Sequence, residues 1–397
     1  MIMQYLLIRN ARLPETPANG DVVSVLMAGG SIISIGSDIQ HPLTDTIDID
    51  AKGSYVLPTL TSLSNPRPVR IDGEALQDMN FENATAGITA IMTVSPNIED
   101  NIDDFANATV PLLNYAFHIP LHQVNISESR RIRKIKIQHG VSTAIMRFGD
   151  EKYDDVRAMA QHITAARILG LRVIYDLRGL ITPTVRAIQL RELCRILRED
   201  SNNKAYIIGV EYEEELNIVK SLIGNCGVAA HLSYDPFAKE SGLGEKLHAQ
   251  TIVDTLRENS WCSLGLAYSA SKALKERWPD MTPEIVSRNK LPLLNAIDLE
   301  NRLTVGELSE YAMARPASFV GMSPNLGMVR EGSSANLIVW NHDYTDDARF
   351  AAPSGDMQDV RFRGRIDYVI MNGKVVVDEK FRPNKVCGRH IYCRIGN

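Results

Sequence analysis

Thr143-Ala-Ile-Met-Arg-Phe148, Arg172-Val-Ile-Tyr-Asp-Leu177 and Ala205-Tyr-Ile-Ile-Gly-Val210 are short apolar runs, each too brief for a helix and rich in residues that favour strands. Between them lie Asp154 to Leu169 and Ala187 to Glu199, whose apolar residues recur at helical spacing. Run, helix, run is the pattern of βαβ units, which build a parallel sheet covered by helices. Working outward, similar runs occur at Val56 to Leu63, Ile88 to Val94, Tyr115 to Ile119, Gly227 to Leu232 and Cys262 to Ala267. Further helical stretches are Ala106 to Leu113, Glu213 to Ile223 and Leu247 to Asn259, with Gly170, Gly224 and Asn259 placed to stop helices. Eight strands suit a closed (β/α)8 TIM barrel of the α/β class, in which chemistry gathers at the C-terminal strand ends.

The chain ends read differently. Tyr5 to Ile8, Val22 to Met27, Gly30 to Ile35, Ile47 to Asp50 and Tyr55 to Leu57 are short strands punctuated by Pro14, Pro17, Gly20 and Gly29-Gly30. After the helix Thr304 to Ala314, expected to end at Arg315-Pro316, strands return at Asn336 to Asn341, Val360 to Arg363 and Tyr368 to Asp378, with a hairpin turn at Asn372-Gly373. Each end has too few strands to be stable alone, so the simplest arrangement is a composite β-sandwich. The expected division is residues 1–57 and 321–397 for the sandwich and 58–320 for the barrel.

The 397 residues are 44% hydrophobic and 23% charged, which excludes disordered, collagenous and disulfide-scaffold classes. A net charge of -5 argues against a nucleic-acid surface. The one basic run, Arg130-Arg131-Ile-Arg133-Lys134-Ile-Lys136, reads as a solvated helix or loop face, with an anion or partner site as the alternative. The N-terminus lacks a basic leader region, and no run approaches the roughly 20 apolar residues of a membrane helix. A cytoplasmic protein without membrane contact is expected. Its cysteines, five in number, form no CxxC pair and suit a reduced compartment. Cys226 and Cys262 read as core residues, not nucleophiles. The nine histidines include no HxH or HExxH arrangement.

Several segments together resemble the cyclic amidohydrolases, dihydroorotase above all. Val56-Leu-Pro-Thr-Leu-Thr-Ser-Leu-Ser64-Asn-Pro66-Arg67 is similar to the first-strand motif PGLIDxHxHxR, and Ala86-Gly-Ile-Thr-Ala-Ile with Ser95-Pro96-Asn97 to GGxTTxxxMPN. Ala314-Arg-Pro-Ala-Ser-Phe-Val-Gly321, Gly327 to Trp340 and Tyr368 to Val376 are similar to the family's C-terminal signature. The resemblance implies a metal centre at the barrel mouth that activates water against a ring amide. Carried across residue by residue, its ligand positions fall on Ser64, Pro66, Met146, Tyr175, Gly209 and Ala267. None of these side chains is a metal ligand of the required kind.

The chain therefore resembles the inactive dihydroorotases that have lost their metal ligands. Those are companions of aspartate transcarbamoylase in pyrimidine synthesis, which implies a non-catalytic structural subunit in a homo- or hetero-oligomer with the transferase catalytic chain and no cofactor. Asn97 and Arg67 fall on or beside the family's carboxylate-binding positions, as a vestigial substrate-binding pair. Asp176 and Arg178 are expected to alternate along a strand and plug the mouth as a salt bridge. The competing reading is an active cyclic-amide hydrolase with zinc on a rearranged set of His118, Asp176 and His231; His122 also follows the third strand, but Pro120 between it and His118 disfavours a helical pairing. A third reading is a homotetramer similar to the dihydropyrimidinase-like proteins of neurons.

Overall fold

The structure, a computed structural model, describes residues 4–17, 20–40, 45–64, 82–94, 113–149, 156–179, 182–199, 204–235, 245–267, 290–296, 302–323, 326–351, 357–378 and 388–393. The expected helix Ala106 to Leu113 falls almost wholly outside them.

Strands β1 (Tyr5–Ala11), β2 (Val23–Ala28), β3 (Ser31–Gly36) and β4 (Thr46–Asp50) form one sheet in the order β3-β2-β1-β4. The next stretch, expected as a single barrel strand from Val56 to Leu63, is split into β5 (Tyr55–Pro58) and β6 (Leu60–Ser62). Pro58 has no N–H to continue a ladder, and the chain changes partners across Thr59. The barrel follows as β6, β7 (Ile88–Val94), β8 (Asn114–Pro120), β9 (Thr143–Arg147), β10 (Arg172–Asp176), β11 (Ala205–Val210), β12 (Val228–Tyr234) and β13 (Cys262–Leu266). These eight strands pair in parallel and in sequence order, bearing out the α/β barrel. Finally β14 (Leu337–Ala351), β15 (Met357–Met371) and β16 (Lys374–Val377) form a sheet with β5 in the order β16-β15-β14-β5.

The sandwich is composite, as expected. β5 pairs antiparallel with β14, Tyr55 opposite Trp340, and one core holds Leu6, Ile8, Val25, Met27 and Ile49 together with Leu337, Val339 and Ile370. The β15–β16 hairpin turns at Asn372 (φ 49°) and Gly373 (φ 74°), the pair of positive φ values that an Asn-Gly turn supplies.

Side-chain alternation divides the barrel strands into two layers. Ile145, Ile174, Tyr206 and Ile208 point inward, whereas Ala144, Met146, Val173, Tyr175 and Ile207 face the helices, among them Pro183–Arg198 and Glu213–Lys220. The N-terminal end of the barrel is closed by Ala317, Phe319, Val320, Met322 and Leu326, with Phe319 edge-on to Tyr206 at 5.0 Å and its carbonyl accepting from Arg172 Nη1 at 2.6 Å. The helix leading there does not stop at Arg315-Pro316. After Val305–Ser309 it widens into a π turn over Glu310–Ala314 and continues as Arg315–Phe319. Widening the turn accommodates a proline that would otherwise clash with the preceding turn and that offers no N–H.

The basic run forms the helix Ser129–His139, with Ile132 and Ile135 buried and Ile137 82% exposed, a solvated face as expected. Its Lys136 turns inward and donates to Leu169 O at 2.6 Å. Among the described residues no helix is long and apolar enough to cross a membrane.

Gly364 (φ +94°) marks the tightest contact between sandwich strands: a Cβ there would lie 1.9 Å from the fully buried Trp340 indole. Gly364→Ala adds overpacking to a backbone conformation that side chains disfavour, so chemical denaturation should show a loss of about 3 kcal/mol.

Candidate functional site

The C-terminal strand ends bring together Ser64 after β6, Arg147 at the end of β9, Asp176 at the end of β10, and Arg178. Asp176 is 4% exposed and accepts two hydrogen bonds from Arg178, from Nε and Nη2, each at 2.8 Å. The Arg178 backbone N–H donates to the same carboxylate at 3.1 Å. Arg147 lies 4.0 Å from it and donates from Nε and Nη2 to Ser64 Oγ at 3.1 and 2.9 Å. Arg178 Nη2 also reaches Ser64 O at 3.0 Å. Three strand ends are thereby tied around one carboxylate. The expected Asp176–Arg178 salt bridge is present, but not by strand alternation: Arg178 sits in the 3-10 turn Leu177–Gly179 and folds back over Asp176. Burial alone would raise the Asp176 carboxyl; the charge and hydrogen bonds of Arg178 outweigh it and hold the group below the usual range.

Missing side chains on neighbouring strands make the room. A Cβ on Gly209 (φ +88°) would lie 2.7 Å from Arg178 Cγ, so the position expected to carry a strand-end ligand is where the arginine stem passes. A Cβ on Gly265 would lie 2.0 Å from His231 Nε2. The loop after β9 and the 3-10 turn meet closely, since a Cβ on Gly179 would lie 2.0 Å from Phe148 O, and Phe148 N donates to Asp176 O at 3.0 Å. From below, the buried Arg186 donates to Leu177 O at 3.1 Å, to Gly209 O and to Glu215, whose carboxylate also accepts from Glu211 N at 2.9 Å. This buried pair braces the ends of both β10 and β11.

The candidate histidines have other duties. His118 lies inside β8, fully buried, with Nε2 2.9 Å from Leu63 O and Nδ1 2.7 Å from Thr143 Oγ1. A carbonyl only accepts, so Nε2 carries the proton and Nδ1 accepts from the threonine, leaving no lone pair for a metal. His231 Nδ1 lies 2.9 Å from Ser263 Oγ and 3.2 Å from Tyr206 OH. Burial lowers His118 to about 4, and burial together with Arg178 lowers His231 to about 3.

Pro66, Arg67 and Asn97 lie outside the described residues. Ser64 is at the mouth. Met146 and Tyr175 pack outward against the helices, and the side chains their strands send to the mouth are the neighbours Arg147 and Asp176. A strict period of two, counted from the inward Ile145 and Ile174, is the signal that finds them. Ala267 is buried just past β13, its N–H on Tyr234 O at 2.8 Å. Sequence reasoning missed the Arg147–Ser64 contact and the Arg186–Glu215 brace, because neither has a local pattern.

These residues do not fit a metal centre. Among the described residues no three His, Cys, Asp or Glu side chains converge to hold an ion, so His118, Asp176 and His231 do not form a set. A divalent cation about 4 Å from one guanidinium would meet a repulsion of about 8 kcal/mol at an effective dielectric of 20.

No protein-family model matches the chain, and no curated protein matches it in sequence. Solved structures do. The dihydropyrimidinase from Brevibacillus agri superposes with a TM-score of 0.76 at 15% identity, covering 99% of this chain and 100% of that one. The L-hydantoinase (dihydropyrimidinase) from Arthrobacter aurescens gives 0.67 at 16%, covering 98% and 99%. A dihydroorotase gives 0.58 at 12%, covering 96% and 100%. At such identities the likeness establishes the fold, a barrel carrying a composite sandwich, over essentially the whole chain.

Removing Arg178 leaves a buried carboxylate without its main partner, with Ser64 and Arg147 still beside it, so Arg178→Met should cost about 3 kcal/mol in urea denaturation, with Arg178→Lys recovering part of it. The histidines set a pH dependence. His118, His231 and His390, the last lowered to about 4 by burial, take up protons in the unfolded chain near pH 6.5 but resist them when folded. Stability is therefore complete above pH 6.5 and falls as pH drops toward 4. Replacing His118 by Asn should reduce the slope of unfolding free energy against pH by about one proton across this window.

Proposed function

We propose that this chain is a cyclic amidohydrolase homologue that does not hydrolyse its family's substrates and acts as a structural subunit. One observation carries the reading: guanidinium groups held by Asp176 and Ser64 stand at the strand ends where the fold's relatives would need metal ligands, with Gly209 opening the space for Arg178. The catalytic role of a metal in this chemistry is to lower the pKa of a water and polarise the amide carbonyl. A mouth that presents arginines supplies neither lone pairs for the ion nor a base for the water.

The partner in this reading is the catalytic chain of aspartate transcarbamoylase, in a hetero-oligomer of the cytoplasm, with no cofactor. The sequence resemblance to dihydroorotases that have lost their ligands supports it. The fold likeness is greater to the dihydropyrimidinase, with a TM-score of 0.76, than to the dihydroorotase, with 0.58, so self-assembly without a transferase is the second reading.

Purified protein should carry substoichiometric zinc by elemental analysis and show no turnover of dihydroorotate, hydantoin or dihydrouracil. Mixed with the transferase catalytic chain, it should elute as a larger species than either alone. Stoichiometric zinc with turnover abolished by His231→Ala would overturn the structural reading in favour of a rearranged hydrolase. A homotetramer indifferent to the transferase would remove the partner and keep the rest.

A further inference from the structure

We infer that the C-terminal segment 389–393 is an acid-released latch, an extra strand wedged into the floor of the barrel that protonation of His390 frees before the rest of the chain unfolds. The segment lies at the end of the barrel opposite the mouth, and the inference stands apart from the reading above.

The floor has a place for such a strand. β8 pairs with β7 from Asn114 to His118, whereas it meets β9 only at Ile119 opposite Ala144 and Pro120 opposite Ile145. Below that point the backbone of Tyr115 turns to the tail. Its N–H donates to Arg389 O at 3.1 Å and its carbonyl accepts from Ile391 N at 2.8 Å, a parallel bridge centred on His390. On the other side, just before β9, Cys393 N donates to Gly140 O at 2.8 Å. Gly140 (φ +60°) leaves the space that Tyr392 fills, since a Cβ there would lie 2.5 Å from the tyrosine ring. Ile391 and Cys393 thereby join Ala116 and Ile145 in the inner core.

These few main-chain bonds are a modest hold for a segment near a chain end, the kind of unit that opens locally while the core stays folded. The tail also fastens the sandwich to the barrel. Asn114 Oδ1 accepts from Arg389 N at 3.1 Å and from Asn372 Nδ2 at 2.8 Å, and Arg389 Nη2 donates to Ser334 Oγ at 3.1 Å. Opening the latch therefore loosens a joint between the two halves of the fold.

His390 makes the latch sensitive to acid. Its ring stacks on Tyr115 at 5.3 Å, stands edge-on to Phe117 at 5.7 Å and tilts against Tyr392 at 4.9 Å. Nε2 is buried there and has no hydrogen-bond partner. An imidazolium carries an N–H at both nitrogens, so protonation puts a charged donor where nothing accepts. The pull of the Tyr115 face on a cation is weaker than the cost of that unmet donor. Among the described residues the titratable groups facing the ring are Tyr115 from β8, Tyr392 from the tail and His139 from the helix Ser129–His139, and the last adds a like charge in acid. Burial, and then His139, lower His390 to about 4, against about 6.5 in a released tail. Docking is therefore complete above pH 6.5 and weakens as pH falls toward 4.

Thiol labelling of the full chain with 4,4′-dithiodipyridine and peptide mapping tests this, because Cys393, Cys194 and Cys262 are all buried and react only when their surroundings open. Each rate is divided by that of the same thiol in the urea-unfolded chain at the same pH. Cys393 should label at least tenfold faster than Cys194 and Cys262 from pH 8 to pH 5, and its rate should rise about thirtyfold over that range. His390→Phe keeps a ring in the stack and cannot titrate, so its Cys393 rate should stay low and flat. Should that variant disturb folding, the profile of the unsubstituted chain decides. Cys393 opening only together with Cys194 and Cys262, no rise toward pH 5, or the same rise in His390→Phe would each overturn the proposal.

Discussion

The mouth of this barrel is organised by the ion pair of Asp176 and Arg178. A carboxylate 4% exposed is costly to bury unless its lone pairs are filled, and Arg178 fills them from Nε, Nη2 and its own backbone N–H. That demand fixes the 3-10 turn after β10, because only a folded-back chain returns the guanidinium of residue 178 to the carboxylate of residue 176. It fixes Gly209 on the next strand, since the arginine stem passes where a side chain would be. It also fixes the close approach of Phe148 and Gly179, which holds Arg147 at the rim. The same geometry that stabilises the carboxylate makes the mouth hostile to a second cation.

Around this cluster the polar groups are arranged in layers of support. Arg186, paired with Glu215 and like it nearly inaccessible, donates to the backbone carbonyls of Leu177 and Gly209 from beneath, while Glu215 accepts from Glu211 N. His118 links β8 to β9 through Thr143 and to the end of β6 through Leu63. Groups that would serve chemistry in an open site are here spent on one another. Such fully paired networks specify a single arrangement more than they add stability, because desolvation offsets most of the Coulombic gain.

The architecture was legible because its signals are local. The runs Ile88 to Val94 and Ala205 to Val210 have apolar lengths and flanks that admit few readings, and both are strands over those same residues. The hairpin at Asn372-Gly373 follows from residue chemistry alone. Two local readings failed where a neighbour decided the outcome. Val56 to Leu63 is one apolar run, yet it serves two sheets because β14 captures its first half. Arg315-Pro316 looks like a helix stop, yet a π turn carries the helix through it to close the barrel floor.

By itself the sequence determined the barrel, the composite sandwich and the absence of histidines at the expected ligand positions, since periodicity and residue identity need no partner to be read. Only the tertiary structure decided what fills the mouth. Which of Met146 and Arg147, or Tyr175 and Asp176, faces inward depends on strand phase, and a shift of one residue reverses every side chain. That Gly209 accommodates Arg178, and that Ser64 receives Arg147 across 83 residues, are contacts between distant parts of the chain. Such contacts are set by three-dimensional packing and leave no trace in local pattern.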